Sequence, residues 1–148
     1  MKGDPLPPSN HVLRHCRQRD LKRDGPDAPV RGVFPYAFEP DEEGVSVTWM
    51  EYFGGSAPEQ LTAALAAMER GRRLRAGNRL AKLRVSAILA AGRSVEKVLR
   101  VIHDPIEAPP EKENLGHSLI QGIAADDDDL RNRIANVVRP EDIELAKV

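Results

Sequence analysis

The apolar positions change period along the chain, and the changes mark out its elements. Phe34, Tyr36 and Phe38 fall on alternate positions, and beyond the polar stretch EPDEEG, Val45, Val47 and Trp49 alternate again. A period of two puts such residues on one face of a strand, so the pattern predicts an aromatic hairpin with arms Val33–Phe38 and Val45–Phe53. Pro35 has no amide hydrogen to donate, which places the first arm at a sheet edge. Gly54-Gly55 then ends the extended stretch. Ser56-Ala57-Pro58-Glu59 reads as a helix start, with Ser as N-cap, Pro inside the first turn and Glu three residues after the Ser. Leu61, Ala64, Leu65 and Met68 recur at helical spacing until Gly77-Asn78 supplies a stop.

Leu83, Val85, Ala87, Leu89 and Ala91 alternate and predict a strand. Residues 94–103 fit both periods. The β-branched content of Val98–His103 and the stop at Asp104-Pro105 favour a strand there. IEAPPEKEN is a loop, and GHSLIQGI is a short strand between Gly116 and Gly122. Asp126–Asp129 stand before LRNRIANVV, where carboxylates suit the positive end of a helix whose buried stripe is Leu130, Ile134, Val137 and Val138. PEDIELAKV adds a further helical turn or two. HVLRHCRQRDLKRD, residues 11–24, fits a short helix or a strand start. Residues 1–10, with Pro5, Pro7 and Pro8 and little to bury, form a mobile extended leader, and residues 11–148 form one globular domain. The resulting order predicts an α+β fold: a small, mostly antiparallel or mixed sheet with two main helices on one face.

Composition narrows the class. A chain of 148 residues can bury a core without a metal or disulfide staple. The single Cys16 cannot form an internal disulfide, MKGDPLPPSN has no apolar core of signal-peptide length, and no stretch approaches the roughly 20 apolar residues of a membrane span. A cytoplasmic protein with no membrane partner is expected. The net charge of −1 hides a split: residues 104–148 hold 11 acids and 5 bases, leaving 12 acids and 17 bases before them. All six aromatic residues, Phe34, Tyr36, Phe38, Trp49, Tyr52 and Phe53, lie in one twenty-residue window, which must anchor the core or an interface.

Histidine titrates near neutral pH, so the four histidines are the first candidates for acid–base work. His103 and His117 would meet at the loop end of neighbouring strands, with Asp104 or Asn114 orienting a ring, and His15 is a further candidate to join them. One neutral and one protonated imidazole, with a basic group to hold a phosphate, are sufficient for phosphodiester cleavage without a metal. The structural reading of the same residues is that each is satisfied by backbone at a strand end. His11 and His15, with Cys16 and Asp20 near, have the spacing of a zinc pair on a helix, but there is no CxxC or HExxH, so no metal and no cofactor is assigned. Cys16 among Arg14, His15 and Arg17 reads either as a reactive thiolate or as an inert half-buried thiol.

Arg70, Arg72, Arg73, Arg75, Arg79, Lys82 and Arg84 crowd into fifteen residues, more than helix capping needs, and suggest a phosphate-rich or acidic partner. Trp49 and Tyr36 would add stacking surface if exposed. Asp126–Asp129 lack the alternation, Gly and closing Glu of an EF-hand, which leaves helix capping as their role. Three functions follow. The first is an accessory or interaction protein, a subunit or adaptor that binds a protein partner or its own copy through the hairpin edge, the leader and the split charge. The second is a small metal-independent enzyme of the ribonuclease or nucleotide phosphodiesterase type, using a histidine pair with basic anchors. The third is salt-sensitive binding of RNA or DNA through the arginine-rich stretch.

Overall fold

The computed structural model describes residues 2–71 and 74–145. Among the described residues eight strands occur: β1 (His11–Cys16), β2 (Leu21–Lys22), β3 (Gly32–Val33), β4 (Val45–Trp49), β5 (Arg79–Arg84), β6 (Arg100–His103), β7 (His117–Gln121) and β8 (Ile143–Leu145). They accompany three α-helices, α1 (Ala57–Gly71), α2 (Val85–Arg93) and α3 (Asp128–Ala135). Six strands form one sheet in the order β6-β7-β4-β1-β5-β8, with every neighbouring pair antiparallel, and β2 and β3 pair separately. The α+β architecture expected from the periodicity is the one observed.

Helices stand on both faces of the sheet, not on one as expected, and cover them unequally. Val12 and Cys16 of β1, Val45 and Val47 of β4, Leu83 of β5 and Ile120 of β7 pack with Val85, Ile88 and Ala91 of α2 and Leu130 and Ile134 of α3 in the larger core. On the other face Leu13 and Leu80 meet Ala64 and Met68 of α1, together with Met50 and Leu74, in a smaller cluster. β1 is thus buried on both sides, and a strand buried on both sides loses the apolar–polar alternation that would announce it. That is why HVLRHC reads weakly in the sequence.

α1 begins as its composition predicts. The Ser56 amide donates to Glu59 Oε1 at 3.0 Å and the Glu59 amide donates to Ser56 Oγ at 3.3 Å, a reciprocal cap. These hydrogen bonds hold the exposed Glu59 carboxyl below its usual range. The cap of α3 comes from Asp127, whose side chain accepts from the Leu130 amide, with Asp128 and Asp129 in the first turn.

Four expectations are corrected. The aromatic hairpin does not form: β4 pairs with β1 and β7, while Pro35–Phe38 is a 3-10 turn that packs against α3. A proline at its first position, where no amide hydrogen is needed, suits that turn better than a strand, and Phe38 is fully buried in the larger core by it. The strand expected over residues 83–91 is divided, β5 ending at Arg84 and α2 beginning at Val85, so three helices stand where two were expected. The first amides of α2 are taken by carbonyls of the leader, Val85 N–H donating to Asn10 O and Ser86 N–H to Pro8 O, both at 2.9 Å. The expected turns after Pro140 are a single 3-10 turn, Pro140–Asp142, followed by β8.

The leader itself is extended, as expected, but seated rather than loose. Leu6 is 4% exposed and its amide donates to Val101 O at 2.9 Å, in pairing with β6. At the opposite turn, Gly44 has a φ of +134°, and a Cβ there would lie 2.5 Å from the Ile120 carbonyl oxygen, so only glycine lets the chain enter β4 this close to β7. No helix among the described residues is long and apolar enough to cross a membrane.

Candidate functional site

The less covered face of the sheet holds the polar groups. β1 and β4 are paired only at Val12–Trp49 and Leu13–Thr48, after which the Ser46 carbonyl accepts from Arg14 Nη1 at 2.8 Å instead of from β1. The sheet parts there, and over the parting, beside α1, lies a pocket of about 160 Å³ lined by His15, Ser46, Thr48, Lys112, Asn114 and His117 with the apolar walls Ala67, Met68 and Ile106. This is below the roughly 300–1,000 Å³ of a site for a drug-sized ligand, and suits a small molecule or one end of a larger one. Among the described residues no Asp or Glu lines it.

His117 is oriented by Asp104. Its Nδ1 lies 2.8 Å from the Asp104 carbonyl oxygen and 3.2 Å from Asp104 Oδ2. Both are acceptors, so Nδ1 carries the proton, and the neutral ring keeps its basic lone pair on Nε2. His15 Nε2 lies 3.1 Å from Asn78 Oδ1, which also accepts from the Arg75 amide at 3.0 Å, so this ring nitrogen is a donor. β1 and β7 flank β4, which separates the backbones bearing His15 and His117 by two strand spacings, roughly 10 Å. Between them the buried Asn114 donates from Nδ2 to Thr48 Oγ1 at 3.1 Å and accepts the Gly116 amide at 3.1 Å. Asn114 therefore fixes the Thr48 hydroxyl and the loop before β7; Asp104 is the residue that orients the ring.

The expected pairing of His103 with His117 is replaced by His15 with His117. His103 stands opposite Ser118 in the ladder, one residue out of step with His117, so the pleat sends the two rings to opposite faces. His103 is 8% exposed, donates from Nε2 to the Leu115 carbonyl at 2.7 Å, and packs edge-on to Trp49 with ring centroids 5.3 Å apart. It fits the structural reading given for it from the sequence. His11, on the same face of β1 as His15, is bound through Nδ1 to Glu51 Oε2 at 2.6 Å. Cys16 points to the opposite face, so the residues that suggested a zinc pair do not converge, and among the described residues no three His, Cys, Asp or Glu side chains gather as a metal site. Burial pushes the Cys16 thiol up to about 12 from 9.0, with the Arg14 charge opposing, which makes it the inert thiol rather than the reactive one.

The described bases of the arginine-rich stretch are spread over the end of α1, the turn before β5 and β5 itself. Arg70 pairs with Glu113 Oε1 at 3.6 Å near the pocket, Arg79 and Arg84 stand at opposite ends of β5, and Arg72 and Arg73 lie outside the described residues. Arg75 is exposed at the turn that leads to Asn78. Tyr36 is 46% exposed and stacks on Phe34, whereas Trp49 is half-buried with its Nε1 donating to Asn10 Oδ1 at 2.8 Å, so the two rings do not share a patch.

Sequence reasoning passed over Lys112, Ser46, Thr48 and Asn78. One signal was available: in VSVTW the residues between Val45, Val47 and Trp49 are Ser46 and Thr48, two hydroxyls on the second face of a strand that proves central. No protein-family model, no curated protein and no solved structure matches the chain.

Proposed function

We propose that the chain is a small acid–base enzyme acting on a phosphate ester, of the ribonuclease or nucleotide phosphodiesterase type, with His117 and His15 as the imidazole pair. The observation that supports this reading is the convergence of two histidines from separate strands on one pocket that Lys112 also lines and, among the described residues, no Asp or Glu lines, with Asp104 behind His117. His117 Nε2 takes the proton of an attacking hydroxyl. As that oxygen forms its bond to phosphorus, the bond to the leaving oxygen breaks and protonated His15 supplies the proton the leaving oxygen needs. Lys112 offsets the phosphoryl charge. In this chemistry the two imidazoles end in exchanged protonation states, and solvent restores them.

The interaction-protein reading drew on a hairpin edge, a free leader and the split charge, and of these the charge split alone still supports it. β4 is central and the leader lies on β6, so those features have work inside the fold. Nucleic-acid binding through the arginines rests on charge alone, with Arg79 and Arg84 at opposite ends of β5.

The test is turnover on a panel of RNA, cyclic nucleotide and nucleotide diester substrates by the parent, His117→Ala, His15→Ala and His103→Ala, with melting temperatures for all four. Removal of a general acid or base costs about 100-fold or more, so both pocket variants should lose turnover while folded, and His103→Ala should keep it at a lower melting temperature. Absence of turnover in the parent across the panel, or its survival in His117→Ala, would defeat the reading.

A further inference from the structure

Two hydroxyls line the pocket, and they stand differently. Val45, Val47 and Trp49 turn to the larger core, so Ser46 and Thr48 lie on the α1 face of β4 with the two histidines. Thr48 is 2% exposed, and its Oγ1 accepts from Asn114 Nδ2 at 3.1 Å. Ser46 is half-buried, and among the described residues no protein group holds its hydroxyl. The ladder puts that hydroxyl between the two imidazoles. β7 pairs with β4 so that His117 stands opposite Thr48 and Leu119 opposite Ser46. Ser46 and His117 are therefore diagonal neighbours on one face, about 7–8 Å apart at the backbone and within reach of an aromatic ring. On the other side β1 meets β4 at Leu13–Thr48, and the next position of β1 on that face is His15, opposite Ser46 across the gap where Arg14 Nη1 donates to the Ser46 carbonyl at 2.8 Å. His117 Nδ1 is held by the Asp104 carbonyl at 2.8 Å, with Asp104 Oδ2 at 3.2 Å, which leaves the basic lone pair on Nε2. A hydroxyl, an imidazole and a carboxylate thus follow one another from β4 through β7 to the residue after β6.

We propose that Ser46 is the nucleophile of the pocket, with His117 as its base and Asp104 orienting that base, and that the substrate is a phosphate ester that needs no hydroxyl of its own beside the phosphorus. That the electrophile is a phosphate rests on the function proposed above; the place of the hydroxyl does not. In the first step Ser46 Oγ forms a bond to phosphorus as His117 Nε2 takes its proton, and the bond to the leaving oxygen breaks as protonated His15 gives that oxygen a proton. In the second step a water forms its bond to phosphorus and gives a proton to His15, while the bond from Oγ to phosphorus breaks and Oγ recovers its proton from His117. The sum is hydrolysis of the ester, and both imidazoles return to their starting states. Lys112 offsets the phosphoryl charge in each step. The route is open to deoxyribonucleotide diesters and to diesters of simple alcohols as well as to RNA.

The test is a covalent one. Dimethyl fluorophosphate, an electrophile small enough for a pocket of about 160 Å³, is incubated with the full chain. At about pH 8 the imidazoles are neutral. The Ser46 oxygen should displace fluoride and carry one dimethylphosphoryl group, located by mass spectrometry of the digested protein. Ser46→Ala should take up none, and His117→Ala should be labelled about 100-fold or more slowly, the cost of losing a general base. His103→Ala should be labelled as the parent is. A parent that takes up no label, or takes it up at another residue, overturns the proposal, as does labelling of Ser46 at the parent's rate in folded His117→Ala. Should either pocket variant prove unfolded, the position of the label in the parent decides alone. The same proteins are then given bis(p-nitrophenyl) phosphate, which has no hydroxyl beside its phosphorus, and an RNA. A labelled Ser46 in a protein that turns over neither keeps the nucleophile and sinks the phosphoesterase reading; RNA turnover that needs His117 and survives Ser46→Ala does the reverse.

Discussion

The two faces of the central sheet divide the work of the molecule. Beneath α2 and α3 the side chains of seven strands, two helices and the 35–38 turn form one continuous apolar layer. Beneath α1 the apolar cluster is small, and beside it Ser46, Thr48, Asn114, His15 and His117 line open space. An apolar face is worth about 25 cal/mol per Å² of surface removed from water, whereas polar groups in a pocket return little to stability. The difference teaches where each kind of residue change should be felt: on one face in the folding equilibrium, on the other in chemistry.

The strongest way to break the comparison is Phe38→Ala. The ring is fully buried in the larger core, so its loss should cost about 4 kcal/mol in urea denaturation while leaving the pocket residues in place. A cost near zero would mean that the two faces are not unequal. Thr48→Val is intermediate. It keeps the shape of a pocket side chain but removes the acceptor of the Asn114 amide, and an unsatisfied buried donor should cost about 2 kcal/mol, with a further loss of turnover if the Asn114 loop shifts. Loss of turnover with no change in stability would show that Thr48 acts on the ligand and not through Asn114.

A further effect is a pH dependence. The Cys16 thiol sits in the larger core with its folded value pushed up to about 12 by burial, against 9.0 ordinarily. Between those values the unfolded chain releases the thiol proton and the folded chain keeps it, so the contribution is fully present below about pH 9 and is lost as pH rises toward 12. The parent should therefore lose more stability than Cys16→Ala between pH 8 and pH 11 in parallel urea titrations. Equal slopes would place the thiol in contact with solvent.

What the chain disclosed in advance follows from how local each cause is. The reciprocal Ser56–Glu59 cap, the acids before α3, and the stop at Asp104-Pro105 are interactions among residues a few positions apart, and each led to an element in its expected place. α2 was concealed because the carbonyls that receive its first amides belong to Pro8 and Asn10, far away in sequence, while VSAILAAGR satisfies both periods. The pocket was half legible. His117 and Asp104 could be grouped because they face each other across one loop, but the choice of His15 over His103 depends on which strand lies next to β4 and on the pleat of β6, and neither is a property of the residues themselves.

The strand order has a consequence for how the molecule comes into being. β1 has β4 and β5 as neighbours, β4 has β7 and β5 has β8, so every pairing at the centre of the six-stranded sheet closes a long loop, and among the described strands of that sheet only β6 and β7 are paired neighbours consecutive in the chain. Loop closure must be met before such pairings yield any contact energy, and chains dominated by them fold in milliseconds to seconds rather than microseconds. The β6–β7 ladder, with the Asp104–Asn114 loop between its strands, is therefore the natural nucleus of the sheet, and the groups that orient His117 would be assembled before the strand that carries His15 arrives.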